Sequence, residues 1–129
     1  GIAVSNAWVR TPLPGRDMTA AYFTLDNNSG AADKLIGVST DVSARAEIHT
    51  HLNVEGVMKM RKLDGLEIAK SETVTFKQGG LHVMMFETEI AQGDDDVEIT
   101  LSFEKGGNVT VTANIQDKPS EMTMDHSGH

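Results

Sequence analysis

The sequence predicts an all-β fold, a Greek-key type β-sandwich of about eight or nine short strands. Three observations predict it. Stretches of about four to eight residues alternate apolar and polar side chains, the period of a strand with one buried face. Clusters of Gly, Asn, Asp and Pro separate these stretches at intervals of roughly 8–12 residues. No stretch carries a convincing helical apolar period, and no internal repeat is visible.

The elements follow in order. Residues 3–10 form a first strand with Val4, Ala7, Trp8 and Val9, broken by Thr11-Pro12-Leu13-Pro14-Gly15. Residues 18–25 form a second, ended by the turn signal Asp26-Asn27-Asn28-Ser29-Gly30. Residues 34–39 give a third. Residues 47–61 read as a strand, a short Asn/Glu/Gly turn and another strand, which is a hairpin. Asp64-Gly65 turns the chain, and residues 73–77 alternate cleanly. Gln78-Gly79-Gly80 then feeds residues 81–86. The charge run Asp94-Asp95-Asp96 belongs to a solvated turn. Val97, Ile99, Leu101 and Phe103 share one strand face, and Val109, Val111, Ala113 and Ile115 another, across a Lys105-Gly106-Gly107-Asn108 turn. From Asp117 the apolar pattern stops, so the expected organisation is a folded domain over 1–116 and a flexible tail over 117–129.

Composition removes several function classes. With 129 residues the chain can bury a core without staples. It has no cysteine, which rules out disulfide scaffolds, thiolate zinc sites, thiol nucleophiles and blue-copper electron transfer. A net charge of −8 and few aromatics argue against nucleic acid as a partner. No apolar run approaches the ~20 residues of a membrane-spanning helix. The chain opens on Gly1 rather than Met, so a mature form, freed of a signal peptide, is the expectation.

What stands out is the placement of five histidines and seven methionines. In the strand that follows Gly80, Leu81, Val83 and Met85 are assigned to the core face, and His82, Met84 and Phe86 to the other. In the hairpin, a turn centred on Val54-Glu55 sets His49 against Met60 and His51 against Met58. It also sets Lys59 and Arg61 on the face of Ile48, an unclean core face. Met122, Met124, His126 and His129 gather in the tail, a composition seen in metal-binding extensions. Met18 and Met85 stand apart and are expected in or near the core. A single Met is more often a gap-filler, and a single strand His more often a hydrogen-bonded surface residue. It is the clustering that points to a metal. Thioethers are soft and neutral and suit Cu(I), while imidazole suits both copper states. Without thiolates such a set holds copper loosely enough to pass it on, and it survives oxidising surroundings.

The spacing of these residues carries a resemblance. Ten residues separate His49 from Met60, twenty-one separate Met60 from His82, and one separates His82 from Met84. Around them stand Ala7-Trp8-Val9-Arg10 before a Pro/Gly loop, Ala20-Ala21-Tyr22-Phe23-Thr24-Leu25, Gly56-Val57-Met58-Lys59-Met60-Arg61 and Gly79-Gly80-Leu81-His82-Val83-Met84. Over roughly residues 3–116 the chain resembles the periplasmic copper chaperones called PCuAC. That resemblance implies a cupredoxin-like sandwich, Cu(I) ligation by His49, Met60, His82 and Met84, and a periplasmic location. It further implies copper delivery to the binuclear site of cytochrome c oxidase, alongside Sco-type thiol proteins. His51 and Met58 form a second tier. His51 stands where many members have Met, so the added imidazole is expected to favour Cu(II) or a second coordination mode. The tail is expected to act as a tether that captures Cu(II) or hands copper on.

Three other readings compete. An enzyme would need a catalytic carboxylate pair, nucleophile elbow or thiol, and none is present. A plain interaction sandwich would bind no stoichiometric copper. A copper storage or resistance protein would share the site and differ only in whether the metal moves on.

Overall fold

The alternating stretches become ten strands. A computed structural model of the chain describes residues 1–91 and 93–118, and among the described residues there is no helix, hence none long and apolar enough to cross a membrane. The strands are β1 (Ile2–Arg10), β2 (Thr19–Asn27), β3 (Asp33–Thr40), β4 (Ser43–Val54), β5 (Val57–Leu63), β6 (Leu66–Ile68), β7 (Thr73–Thr75), β8 (His82–Thr88), β9 (Asp96–Phe103) and β10 (Gly107–Gln116). They hydrogen-bond in the order β5-β4-β8-β2-β1-β10-β9-β3-β6, with β7 added on β2. β1 runs parallel to β10, and the other pairs are antiparallel.

The path folds over so that both halves share one core. Val9, Phe23, Leu25, Ile48, Val83 and Met85 come from the β4-β8-β2-β1 half. Leu35, Ile68, Ile99, Leu101 and Ala113 come from the β10-β9-β3-β6 half. Each buried Leu, Ile or Phe contributes roughly 1.5–3 kcal/mol relative to exposure. The alternation assigned to β8 and β9 from sequence is the alternation observed: Val83 and Met85 are fully buried, as are Leu101 and Ile99 within about 1%. The all-β sandwich expectation therefore holds. β6 is the strand that patterning missed. It is three residues long, too short to show a period, yet Ile68 is fully buried and β6 pairs with β3.

Two polar devices fix the architecture near the edges. The Asp33 carboxylate accepts from the backbone N–H of Lys34 (2.7 Å), Lys105 (2.8 Å) and Gly106 (2.9 Å), so it clamps the β9–β10 turn onto β3. The Asn27 side chain, buried at the end of β2, donates to the carbonyls of Ile68 (3.1 Å) and Ala69 (3.1 Å).

Leu13 and Met18 of loop 11–18 wall a cleft together with Ala20 and Tyr22 of β2 and His82 and Met84 of β8. Ala20, Tyr22 and His82 are buried beside that cleft, and Trp8 packs on Tyr22 with ring centroids 4.7 Å apart. A patch on the side away from the core is thus partly desolvated, and the histidines and methionines sit at its margin.

Candidate metal centre

Three neighbouring strands, β5, β4 and β8, build the cluster. The β4–β5 hairpin turns at Glu55-Gly56, both with positive φ (53° and 86°), and Val54 pairs with Val57. Asn53 Oδ1 accepts from the Gly56 N–H at 2.8 Å and holds the turn shut. This register corrects the one counted from sequence. His51, not His49, lies opposite Met60; Met58 lies opposite Asn53; His49 lies opposite Lys62. The shift equals two residues along the ladder, and side chains alternate with period two, so His49, His51, Met58 and Met60 still share a face. Lys59 and Arg61 face away from them and are exposed, because the hairpin projects past the core at this level.

Across β4 and β8, His49 is opposite His82 and Glu47 is opposite Met84. His82 therefore neighbours each of the other two imidazoles: ring centroids are 5.7 Å apart for His49–His82 and 5.2 Å for His51–His82. His82 is not the surface residue that alternation alone suggests; it is 4% exposed, in the cleft it shares with Leu13 and Met18. Burial pushes its pKa below the usual value, and the nearby His49 and His51 push the same way, against the hydrogen bond to Gly80. Its Nδ1 donates to the Gly80 carbonyl at 2.9 Å, which leaves Nε2 as the ring's lone-pair nitrogen.

His49 is fixed by a carboxylate. Its Nε2 donates to Glu47 Oε1 at 2.9 Å, and Glu47 is steadied by Arg45 (3.1 Å) and, more distantly, Lys62 (4.0 Å). The His49 hydrogen bond, with the Lys62 and Arg45 charges, holds the Glu47 carboxyl below its ordinary range despite the opposing effect of burial. The other His49 nitrogen, Nδ1, is buried with no hydrogen-bond partner. A lone pair left unpaired in a buried site costs about 1–3 kcal/mol. A metal ion would satisfy it, and a carboxylate behind the imidazole is the usual way to fix such a ligand.

In front of the His51 and His82 rings lies a cleft of about 360 Å³ that these two line with Met60 and Met84, with Leu13, Met18 and Tyr22 among the other walls; His49 is not part of its lining. Met60 is 51% exposed and Met84 half-buried. Met58, 58% exposed, is on the same hairpin but does not line the cleft. Met85 is in the core as expected; Met18 is not, being 45% exposed on the cleft wall. Among the described residues, no three His, Cys, Asp or Glu side chains gather at one point, so a metal site here draws on the thioethers. The donors are neutral nitrogen and sulfur, a set that suits a soft monovalent cation better than Zn²⁺, Mg²⁺ or Ca²⁺.

Two contributors escaped the sequence reading, Glu47 and Met18. Glu47 had a signal, an acid two residues before a strand histidine and so on the same face. Met18 had none, because its place near Met84 follows from the Ala20–Met84 pairing, which the sequence does not show. Met122, Met124, His126 and His129 lie outside the described residues. The strand that precedes them ends beside the cleft. Gln116 pairs with Arg10 and accepts from the Thr11 N–H at 2.8 Å, and Arg10 and Thr11 line the cleft.

Comparison with known proteins agrees with this geometry. Residues 2–115 match the family described as "Putative lipoprotein LpqE-like". The uncharacterised protein RP573 of Rickettsia prowazekii is 32% identical over 104 residues, which are 78% of this chain and 58% of that protein. The chain thus spans little more than half the length of that relative. Among solved structures, the copper-bound PCuAC domain from PmoF2 superposes with a TM-score of 0.75 at 27% identity, covering 89% of this chain and 92% of its own. The Cu(I) form of DR1885 from Deinococcus radiodurans gives 0.66 at 30% identity, covering 87% and 76%. The fold is accordingly the cupredoxin-like sandwich of those domains. The chain belongs to the LpqE-like family, and its described residues form a domain of the PCuAC type.

Proposed function

We propose that this chain is a copper carrier that takes up Cu(I) at the His49, Met60, His82 and Met84 cluster and passes it to an acceptor protein. The observation that carries the reading is the convergence of thioethers and neutral imidazoles on one open cleft. Soft neutral donors favour Cu(I). Met60, half-exposed on an edge hairpin, leaves the metal accessible to an incoming ligand, which favours exchange over storage. The copper-bound PmoF2 domain and the Cu(I) form of DR1885 support the same cargo.

In this reading His49 binds through its unpartnered Nδ1, and His82 through Nε2. His51, opposite Met60 and on the cleft wall, is an alternative imidazole that suits Cu(II), and Met58 is a peripheral thioether. The copper-binding domain is residues 1–116. Residues 117–129 are a Met/His tail whose Met122, Met124, His126 and His129 supply further donors. The carrier works in the periplasm, outside the cytoplasmic thiol pool, and the lipoprotein description of its family supports that placement. Its acceptor is the copper subunit of cytochrome c oxidase or a Sco-type partner, as the PCuAC resemblance implies. The role is binding and transfer, without turnover.

The test is an anaerobic Cu(I) titration against a competing chelator, comparing wild type with Met60→Ala/Met84→Ala. Tight one-to-one binding that the double variant loses supports the reading. Binding unchanged in the variant moves the site to the histidines or the tail. No binding in either protein ends it. Transfer of the bound copper to an apo acceptor then separates carrier from store.

A further inference from the structure

The cleft holds one more sulfur than the spacing motif names. Met18 sits one residue before β2, on the wall of the cleft that His51, Met60, His82 and Met84 line. Its backbone is held on both sides. The Asp17 carbonyl accepts from both the Thr88 N–H and the Thr88 hydroxyl, each at 2.8 Å, and the Thr19 hydroxyl donates to the Arg10 carbonyl. Thr19 itself is buried. The side chain between these anchors is nonetheless 45% exposed, so it is not there to fill the core. Ala20 pairs with Met84, and alternation places Met18 as the diagonal neighbour of Met84, about 7–8 Å away and within reach of two long side chains.

We propose that Met18 is an additional thioether ligand of the copper site, approaching from the β2 side opposite Met60. The inference rests on the copper-carrier reading and extends its donor set. Met60 reaches the cleft from β5 at the edge of the sheet, Met84 from β8, and Met18 from the segment entering β2. Three sulfurs around one cleft give Cu(I) a soft donor on each side. As thioether bonds to Cu(I) are weak and neutral, one can release while the others hold, which is how a carrier lets an acceptor ligand in.

Met18→Leu isolates the sulfur. Leucine is close in volume and keeps the apolar wall, so a purely hydrophobic role survives the change while ligation does not. The measurements are the Cu(I) dissociation constant by anaerobic chelator competition and the number of sulfur scatterers at the copper K-edge, on wild type, Met18→Leu and, as a control at an exposed apolar residue outside the cleft, Ile36→Leu. Met18→Leu is expected to bind Cu(I) at least ~10-fold more weakly, as for loss of an outer ligand partner, and to lose one sulfur scatterer. The control is expected to do neither. Wild-type-like affinity and sulfur count in Met18→Leu overturn the proposal while leaving the site reading intact. Failure of wild type to bind Cu(I) overturns both. Thermal unfolding of the apo-proteins confirms that the variants are folded.

Discussion

The His49 imidazole donates from Nε2 to Glu47 at 2.9 Å and keeps its other nitrogen, Nδ1, buried and unpartnered. The carboxylate selects the tautomer. It also aims the ring, since Arg45 and Lys62 anchor Glu47 in turn. Glu47→Ala frees the ring to rotate and the proton to move to Nδ1. Loss of such an outer partner typically costs about 10–100-fold in metal affinity. Chelator competition should therefore show Cu(I) binding weakened by that factor in Glu47→Ala. Glu47→Gln, which can still accept the hydrogen bond, should recover part of the loss. Equal affinity in all three proteins would mean that His49 is not a ligand.

The sequence shows most of this arrangement, and what it hides is what depends on turns and loops. Alternation alone places Val83 and Met85 inside and Met84 outside, because period two is a local property of the strand. The face shared by His49, His51 and Met60 survives even though the counted register is wrong, since an error of two residues preserves the face. The register itself depends on where φ can turn positive. The sequence centres the turn on Val54-Glu55, whereas the positive φ values fall on Glu55 and Gly56, one residue later, and Glu is a poor residue for that conformation. The burial of His82 is illegible locally because its neighbours, His49 and His51 on β4 and the cleft residues Leu13 and Met18 of loop 11–18, are remote in sequence. The exposure of Met18 follows from the same loop: a methionine in an apolar run looks like core until Asp17 and Thr19 are seen to clamp its backbone.

The hairpin turn offers a stability prediction that leaves the metal site alone. Glu55 sits at φ 53°, where an L-residue pays about 1–2 kcal/mol and Asn is tolerated far better. Asn-Gly is the preferred pair for such a two-residue turn. Glu55→Asn should raise the unfolding free energy by about 1 kcal/mol. Gly56→Ala, at φ 86°, should lower it by a similar amount. Urea unfolding reads both as a moved midpoint at constant slope. Cu(I) affinity should hold in Glu55→Asn, since the register that brings His51 to Met60 is reinforced.

Acid sensitivity should trace in part to Asp33. Burial raises its pKa, but three amide N–H donors and the Lys105 charge outweigh it, so the folded value lies below the ordinary 3.8. A carboxyl depressed in the folded state contributes stability above its unfolded pKa and loses it as pH falls through the folded one. Wild type should therefore lose stability as pH drops below about 4. Asp33→Asn should be less stable at pH 7 by about 1–3 kcal/mol, since amides of the β9–β10 turn lose a charged acceptor. The gap between the two proteins in urea unfolding should narrow toward pH 2. A constant gap across that range would show that the carboxylate charge does not hold the turn.

Strand β10 ends beside the cleft, because Gln116 pairs with Arg10 and its carbonyl accepts from the Thr11 N–H, and Arg10 and Thr11 are both in the cleft wall. Met122 stands six positions and His129 thirteen positions after Gln116 in the chain. An extended chain covers at most about 3.3–3.6 Å per residue, so this spans roughly 20–45 Å, ample to return to a cleft beside the exit point. A tethered donor acts at an effective concentration in the millimolar range for short flexible linkers. Truncation after Lys118 should therefore reduce the Cu(II) bound per chain and slow copper capture at limiting metal, while leaving the Cu(I) affinity of the main site unchanged. Titration of the truncated and full chains with each oxidation state reads this directly. Identical Cu(II) stoichiometry in the two would remove the tail from copper handling, and a weakened Cu(I) site would instead make Met122 or Met124 part of the main centre.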